Sequence, residues 1–284
     1  MATFAVSWAA ILIKLSGAGA IPTAFYRLAI ASIILALPAF PKIKKIPAIL
    51  NRRQMLMLAA SGVVLGLHFA AWVTSLFYTT ISNSTILVAT QPIFVIIMEV
   101  LFLKEKVRRR SIIGMSVAVV GIYLISRGDF DLGRQYIIGD LLALAGAFFA
   151  GLYLFIGRRL RARLDNLAYI FPVYTVAALT LIVFALFMDE NLVDYPARTW
   201  LIFLLLALIP TIVGHSLYNW LLKYVPAYMV ATTILGEPIG ATILAIFFFD
   251  QIPGWWTVIG GVMILSGIFI VLKRRRETRA IMPE

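Results

Sequence analysis

The sequence predicts an all-α fold: a polytopic membrane protein of ten transmembrane helices built as two inverted five-helix repeats. Three observations carry this. First, 62% of the 284 residues are apolar and 13% charged, with a mean hydropathy of +0.97, whereas soluble domains are roughly half apolar and a quarter charged. Second, charge-poor apolar runs follow one another along the chain, separated by short connections. Third, a set of Tyr, Pro and Gly positions recurs at a fixed interval.

The apolar runs place helices at 2–16, 22–40, 55–78, 84–103, 111–127, 137–157, 167–188, 200–222, 228–249 and 255–272, each bounded by charge or by Pro and Gly. The first is short for a bilayer core of about 30 Å, which is expected of a trimmed N-terminus. With no basic segment before it, it does not read as a signal peptide. The length leaves no room for a sizeable extramembrane domain, so function is expected among the helices.

Positive charge sets the orientation. The alternate segments 41–53, 104–110, 158–166, 223–227 and 273–284 hold 20 of the 25 Lys and Arg residues. Lys14, Arg27, Arg127, Arg134 and Arg198 lie toward the opposite ends, where Asp129, Asp131, Asp189, Glu190, Asp194 and Asp250 cluster. By the positive-inside rule both termini are cytoplasmic. The runs Arg108-Arg109-Arg110 and Lys273-Arg274-Arg275-Arg276 read as headgroup anchors, and no nucleic-acid partner is expected from bases placed in this way. The absence of cysteine excludes disulfides, iron–sulfur clusters and thiol nucleophiles. No cofactor and no metal site are expected, because the two histidines have no further ligands at a shared spacing.

Tyr78, Pro92, Gly114 and Gly121 recur as Tyr224, Pro238, Gly260 and Gly267, each pair 146 positions apart. One residue less pairs Trp8 with Tyr153 and Lys14 with Arg159. The repeats are therefore 1–132 and 133–284, helices 1–5 and 6–10. An odd number of helices per repeat inverts the second half, and the charges agree: the basic 41–53 segment corresponds to the acidic 188–198 segment, and Lys104 to Asp250. Inverted halves are the architecture of secondary transporters, whose midplane site is exposed to either side in turn.

Phe25-Tyr26-Arg27-Leu28 followed by an apolar run to Leu37-Pro38 resembles the second helix of the drug/metabolite transporter superfamily, in particular its EamA-type ten-helix exporters. The series Tyr78-Thr79, Gln91-Pro92, Leu103-Lys104-Glu105, Gly114 and Gly121, with its second copy Tyr224, Glu237-Pro238, Phe249-Asp250-Gln251, Gly260 and Gly267, resembles the same group over nearly the whole chain. Gln251 departs from the acid usual there. The resemblance implies an exporter of amino acids or related metabolites, with YddG-type aromatic amino-acid exporters among those it is similar to. Nucleotide-sugar transporters share the fold, so substrate does not follow from it.

Polar stripes in membrane helices mark interior faces. Helix 8 carries Thr211, His215, Asn219 and Lys223 at intervals of four, with Tyr218 beside them. Helix 3, its repeat partner, carries His68, Trp72, Ser75 and Thr79, with Tyr78 and Tyr153 as further aromatic wall candidates. Trp8 and Trp220 join that group, whereas Trp200, Trp255 and Trp256 read as interfacial anchors. Helices 4 and 9 bear Gln91-Pro92 and Glu237-Pro238, where proline is expected to kink the helix and free a carbonyl. The substrate-binding set is thus His68, Trp72, Ser75, Tyr78, Gln91, Tyr153, Thr211, His215, Tyr218, Asn219 and Glu237, with Pro92 and Pro238 as hinges. Glu237 and Glu99 are the candidates for proton coupling, although Glu99 lies near the cytoplasmic end and has basic loop residues within reach. Lys14 and Arg27 either snorkel to headgroups or attract a carboxylate. Gly62, Gly66, Gly114, Gly121, Gly146, Gly260, Gly261 and Gly267 read as close-packing positions.

No phosphate loop, HExxH or GxSxG is present, so neither ATP drive nor hydrolysis is expected. The reading is a non-enzymatic secondary exporter of a small organic solute, in a bacterial inner membrane. Facilitated diffusion is favoured over proton coupling, because Gln91 occupies the position that matches Glu237. The lipid bilayer and a small-molecule substrate are its expected partners, and it is read as a monomer. A channel or an intramembrane enzyme is the rival class.

Overall fold

The structure is a computed structural model that describes residues 1–103, 109–130, 133–225, 230 and 233–279. Lys104, Glu105, Arg108, Asp131 and the repeat boundary at 132 lie outside the described residues, as do 226–229, 231–232 and 280–284. Among the described residues all regular structure is helical: α1 (Ala2–Leu15), α2 (Ala20–Ile43), α3 (Arg52–Tyr78), α4 (Ile81–Phe102), α5 (Arg109–Phe130), α6 (Arg134–Arg161), α7 (Asn166–Phe187), α8 (Ala197–Leu221), α9 (Gly236–Phe249) and α10 (Trp255–Arg279). Six of these, α2, α3, α4, α6, α7 and α8, are long and apolar enough to cross a membrane. The remaining four contribute shorter apolar helices, giving the ten elements that the apolar runs predict.

Local chemistry explains where they begin. Asn51 caps α3 with a capping box, its side chain accepting from the Gln54 amide at 2.9 Å while Gln54 Oε1 accepts from the Asn51 amide at 3.1 Å. Thr80 caps α4 and Asp165 caps α7. Between α1 and α2 the chain reverses through Gly17 at φ +68°, a conformation that glycine adopts without steric cost.

Four elements depart from the expected continuous helices. Tryptophan 8 marks a break in α1, between Ala2–Ser7 and Ala9–Leu15. In α4 the helix stops at Val88 and restarts at Gln91. Pro92 therefore sits in the first turn of the second segment, where its missing N–H breaks no bond, and the expected kink becomes an interruption. Pro238 is likewise in the first turn of Gly236–Phe249, after a turn at Leu235. In α8, Ala207–His215 winds as a π-helix around Pro210, a wide turn that adds about one residue per turn relative to an α-helix.

Packing follows the repeat. Helix α3 lies on α6 and α7, while α2 lies on α7 and α8. A Cβ at Gly62 would meet Val176 and the Val173 carbonyl, one at Gly66 would meet Thr180, and one at Gly146 would stand 3.1 Å from the Trp72 Cβ. The predicted close-packing glycines thus let the backbones approach. The α5–α10 contact is reciprocal. A Cβ at Gly114 would lie 2.5 Å from the Gly267 carbonyl and one at Gly267 2.5 Å from the Gly114 carbonyl; for Gly121 and Gly260 both distances are 2.6 Å. The 146-residue shift turns the first contact into the second, and the helices run antiparallel, as a two-fold axis in the membrane plane requires.

Candidate functional site

A narrow cavity of about 40 Å³ lies among α3, α4, α6, α8 and α9. Of the eleven predicted binding residues, eight line it: His68, Trp72, Gln91, Tyr153, His215, Tyr218, Asn219 and Glu237. Apolar side chains complete the wall, among them Val88 and Ile234. Three repeat-related pairs face one another across this single space, namely Trp72 with Tyr218, Val88 with Ile234, and Gln91 with Glu237. The cavity therefore lies on the pseudo-symmetry axis.

Its polar groups are held in place from behind. His68 Nδ1 is 2.9 Å from the Gly146 carbonyl, an acceptor that fixes the proton on Nδ1 and leaves Nε2 to accept. The imidazole stacks parallel to Trp72, with ring centroids 6.0 Å apart. His215 packs edge-on against Phe69 and Tyr218. Tyr153 donates to Asn219 Oδ1 at 2.6 Å, and Asn219 Nδ2 donates to the His215 carbonyl at 2.9 Å. Tyr218 donates to Thr3 Oγ1 at 3.1 Å, tying α8 to α1. The Trp72 indole N–H is buried without an acceptor. Such a donor costs free energy unless a ligand or water meets it.

Three predicted residues are elsewhere. Ser75 is buried against α4, 2.6 Å from Ser84 Oγ, and also donates to the Trp72 carbonyl. Tyr78 is at the far end of α3 and 43% exposed. Thr211 is turned toward α2 and accepts from Arg27 Nε at 3.0 Å. The stripe on α8 was read with α-helical spacing, and the π turns rotate Thr211 out of register with His215 and Asn219. Trp220, 43% exposed, packs on Tyr224 outside the cavity, and Trp8 packs on Phe4 and Phe248. Glu99 accepts from Arg158 Nη1 at 3.1 Å, near the basic end rather than in the cavity. Lys14 lies 5.2 Å from the Phe77 ring centroid.

Arg27 was placed at a headgroup or near a carboxylate, yet it is 0% exposed. Its neighbour Tyr26 belongs to an aromatic cluster with Tyr195, Trp200 and Phe203, and the Tyr26 hydroxyl donates to the Leu192 carbonyl. Trp200 is thus packed within this cluster, against Tyr26, Tyr195 and Phe203. At the opposite end Arg161, 1% exposed, donates from Nε to the Asn219 carbonyl at 2.8 Å.

The model of the EamA-like transporter family matches residues 1–127 and, separately, 137–273. The chain belongs to the EamA-like transporter family. Among similar proteins are an uncharacterized transporter of Archaeoglobus fulgidus, 26% identical over 89% of this chain and 88% of that one, and a probable terminal-alkyne amino-acid exporter of Streptantibioticus cattleyicolor, 23% identical over 97% and 93%. The pseudopaline exporter CntI of Pseudomonas aeruginosa is 26% identical over 89% and 86%. A solved crystal structure matches with a TM-score of 0.69 at 16% identity, covering 97% of this chain and 95% of that one, and so shares the fold. The expected membership of the drug/metabolite transporter superfamily stands on these matches, and the EamA-like chain is a multi-pass membrane protein of transporter type.

Proposed function

We propose that this EamA-like protein is a secondary transporter that exports amino acids, aromatic ones among them, by alternating access of the cavity on its pseudo-two-fold axis. The observation that carries this reading is the convergence of the pairs Trp72/Tyr218, Val88/Ile234 and Gln91/Glu237 on one cavity. A site to which two inverted halves both contribute is one that their exchange of conformations exposes first to one side and then to the other. The two repeats are 1–132 and 133–284, in keeping with the two separate family matches. Aromatic walls at Trp72, Tyr153 and Tyr218 suit a flat side chain, and the exporters among the relatives support the outward direction. The basic loops support a reading with both termini in the cytoplasm and the protein in a bacterial inner membrane.

At about 40 Å³ the cavity has room for a few waters, so substrate binding requires the halves to part. The cavity has one acid, Glu237, and its repeat counterpart is Gln91. Export down the substrate gradient, without obligatory proton movement, fits that single carboxyl better than a relay.

Counterflow in proteoliposomes tests the proposal. Labelled tryptophan, phenylalanine and a panel of other amino acids should accumulate transiently and saturably when unlabelled substrate is inside, with or without an imposed pH gradient. Flux that rises linearly with concentration and shows no trans-stimulation would indicate a channel and end the reading.

A further inference from the structure

Among the described residues, Arg27 is the buried charge with the most unpartnered donors. It is 0% exposed, and of its three guanidinium nitrogens only Nε has an acceptor, the Thr211 hydroxyl at 3.0 Å. That hydroxyl passes its own proton to the Leu206 carbonyl at 2.8 Å, so it is locked as an acceptor for Arg27. Nη1 and Nη2 have no hydrogen-bond partner. A buried guanidinium with two idle donors costs several kcal/mol unless an anion meets them. The paired Nη groups have the fork geometry that binds a carboxylate through two parallel hydrogen bonds.

The surroundings show where that anion comes from. The guanidinium carbon lies 4.3 Å from the Phe69 ring centroid, and that ring also packs on three residues of the cavity wall, His68 at 4.8 Å, His215 at 5.4 Å and Trp72 at 6.3 Å. Arg27 therefore backs onto the cavity across a single phenylalanine. Glu237, in the cavity wall, is the carboxyl whose charge Arg27 feels, yet the two form no ion pair, and the Glu237 carboxyl has no partner among the described residues. An α-amino acid carries one group for each, a carboxylate for the Arg27 fork and an ammonium for the Glu237 carboxyl.

We propose that Arg27 receives the carboxylate and Glu237 the ammonium of a zwitterionic α-amino acid, with displacement of the Phe69 ring joining Arg27 to the cavity as the halves part. This rests on the transporter reading above and assigns the substrate's charged ends within it.

The test is counterflow in proteoliposomes with phenylalanine, its amide, which lacks the carboxylate, and 3-phenylpropionate, which lacks the ammonium. Wild-type protein should take phenylalanine with a KM at least tenfold below that of either analogue. Arg27→Gln should abolish the preference for the acid over the amide while leaving discrimination against 3-phenylpropionate, and Glu237→Gln should do the reverse. Arg27→Lys, which keeps the charge and loses the fork, should retain part of the preference, and it guards against a fold defect in the glutamine variant. If wild-type protein moves phenylalanine and its amide equally well, or if Arg27→Gln lowers both in proportion, Arg27 is not the carboxylate site. If wild-type protein moves no amino acid, the transporter reading itself fails and the assignment falls with it.

Discussion

At the scale of single residues, the cavity is held by a few hydrogen bonds whose loss has separable outcomes. The Tyr153 hydroxyl satisfies Asn219 Oδ1, and Asn219 in turn braces α8 through its own backbone bond to Arg161. Tyr153→Phe leaves a buried carbonyl oxygen unpaired, a cost of about 1–3 kcal/mol. We expect a lower melting temperature together with a several-fold rise in KM. Trp72 presents the opposite case, because its indole N–H has no protein partner to lose. Trp72→Phe should leave thermal stability within about 1 kcal/mol of wild type, apart from the smaller ring. Its KM should nevertheless rise, and an unchanged KM would show that no substrate atom meets that donor. Glu99 was one of two acids with a possible coupling role, and its 3.1 Å bond to Arg158 places it in an ion pair between α4 and α6. Glu99→Gln should therefore weaken expression or stability without creating pH sensitivity in counterflow.

At the scale of elements, the apolar runs located α1 to α10, because a membrane span announces itself by composition. Eight of the eleven candidate residues line the cavity for a related reason: a polar side chain in a charge-poor helix has few places to point. The misses have a common origin in irregular backbone. Thr211 was placed by α-helical spacing, and the π segment Ala207–His215 defeats that spacing. The interruption of α4 at Ala89 and Thr90 turned an expected kink into two helices. Of the two readings of Arg27, its burial overturns only the snorkelling one, which an arginine near a helix end suggests; that burial depends on Thr211 and Phe69, which are distant in sequence. Pro210 offers a test of the π segment. Pro210→Ala restores an amide and permits a regular α-helix, which would rotate Thr211 away from Arg27. Transport should fall although the protein remains folded, and hydrogen exchange should detect the new amide bond.

At the scale of the whole molecule, the repeat is expressed twice, in the reciprocal glycine contacts of α5 with α10 and in the paired residues of the cavity. The glycine contacts predict paired effects. Gly114→Ala and Gly260→Ala each force a methyl group onto a facing backbone carbonyl and should lower the melting temperature by similar amounts. Gly254→Ala, with no atom within 4 Å of its added methyl, should not. A marked inequality between the first two would argue against the symmetry.

The same contact has a mechanical meaning. Where helices meet through side chains, rotamer changes can let one slide on the other; where they meet through backbone atoms at van der Waals distance, nothing is left to yield. Helices α5 and α10 thus behave as one rigid strut, and any opening of the halves must be a bending of the interrupted helices α4, α8 and α9 about it. Because the chain contains no native cysteine, spin labels can be attached at Val120 and Val262, which are 47% and 61% exposed on this strut, without removing any residue first. The distance between them should stay constant from one access state to the other, while a pair spanning the aromatic cluster of Tyr26, Tyr195, Trp200 and Phe203 should lengthen. The protein would then work less like a pair of rocking jaws than like two flexible shutters hung on a fixed post.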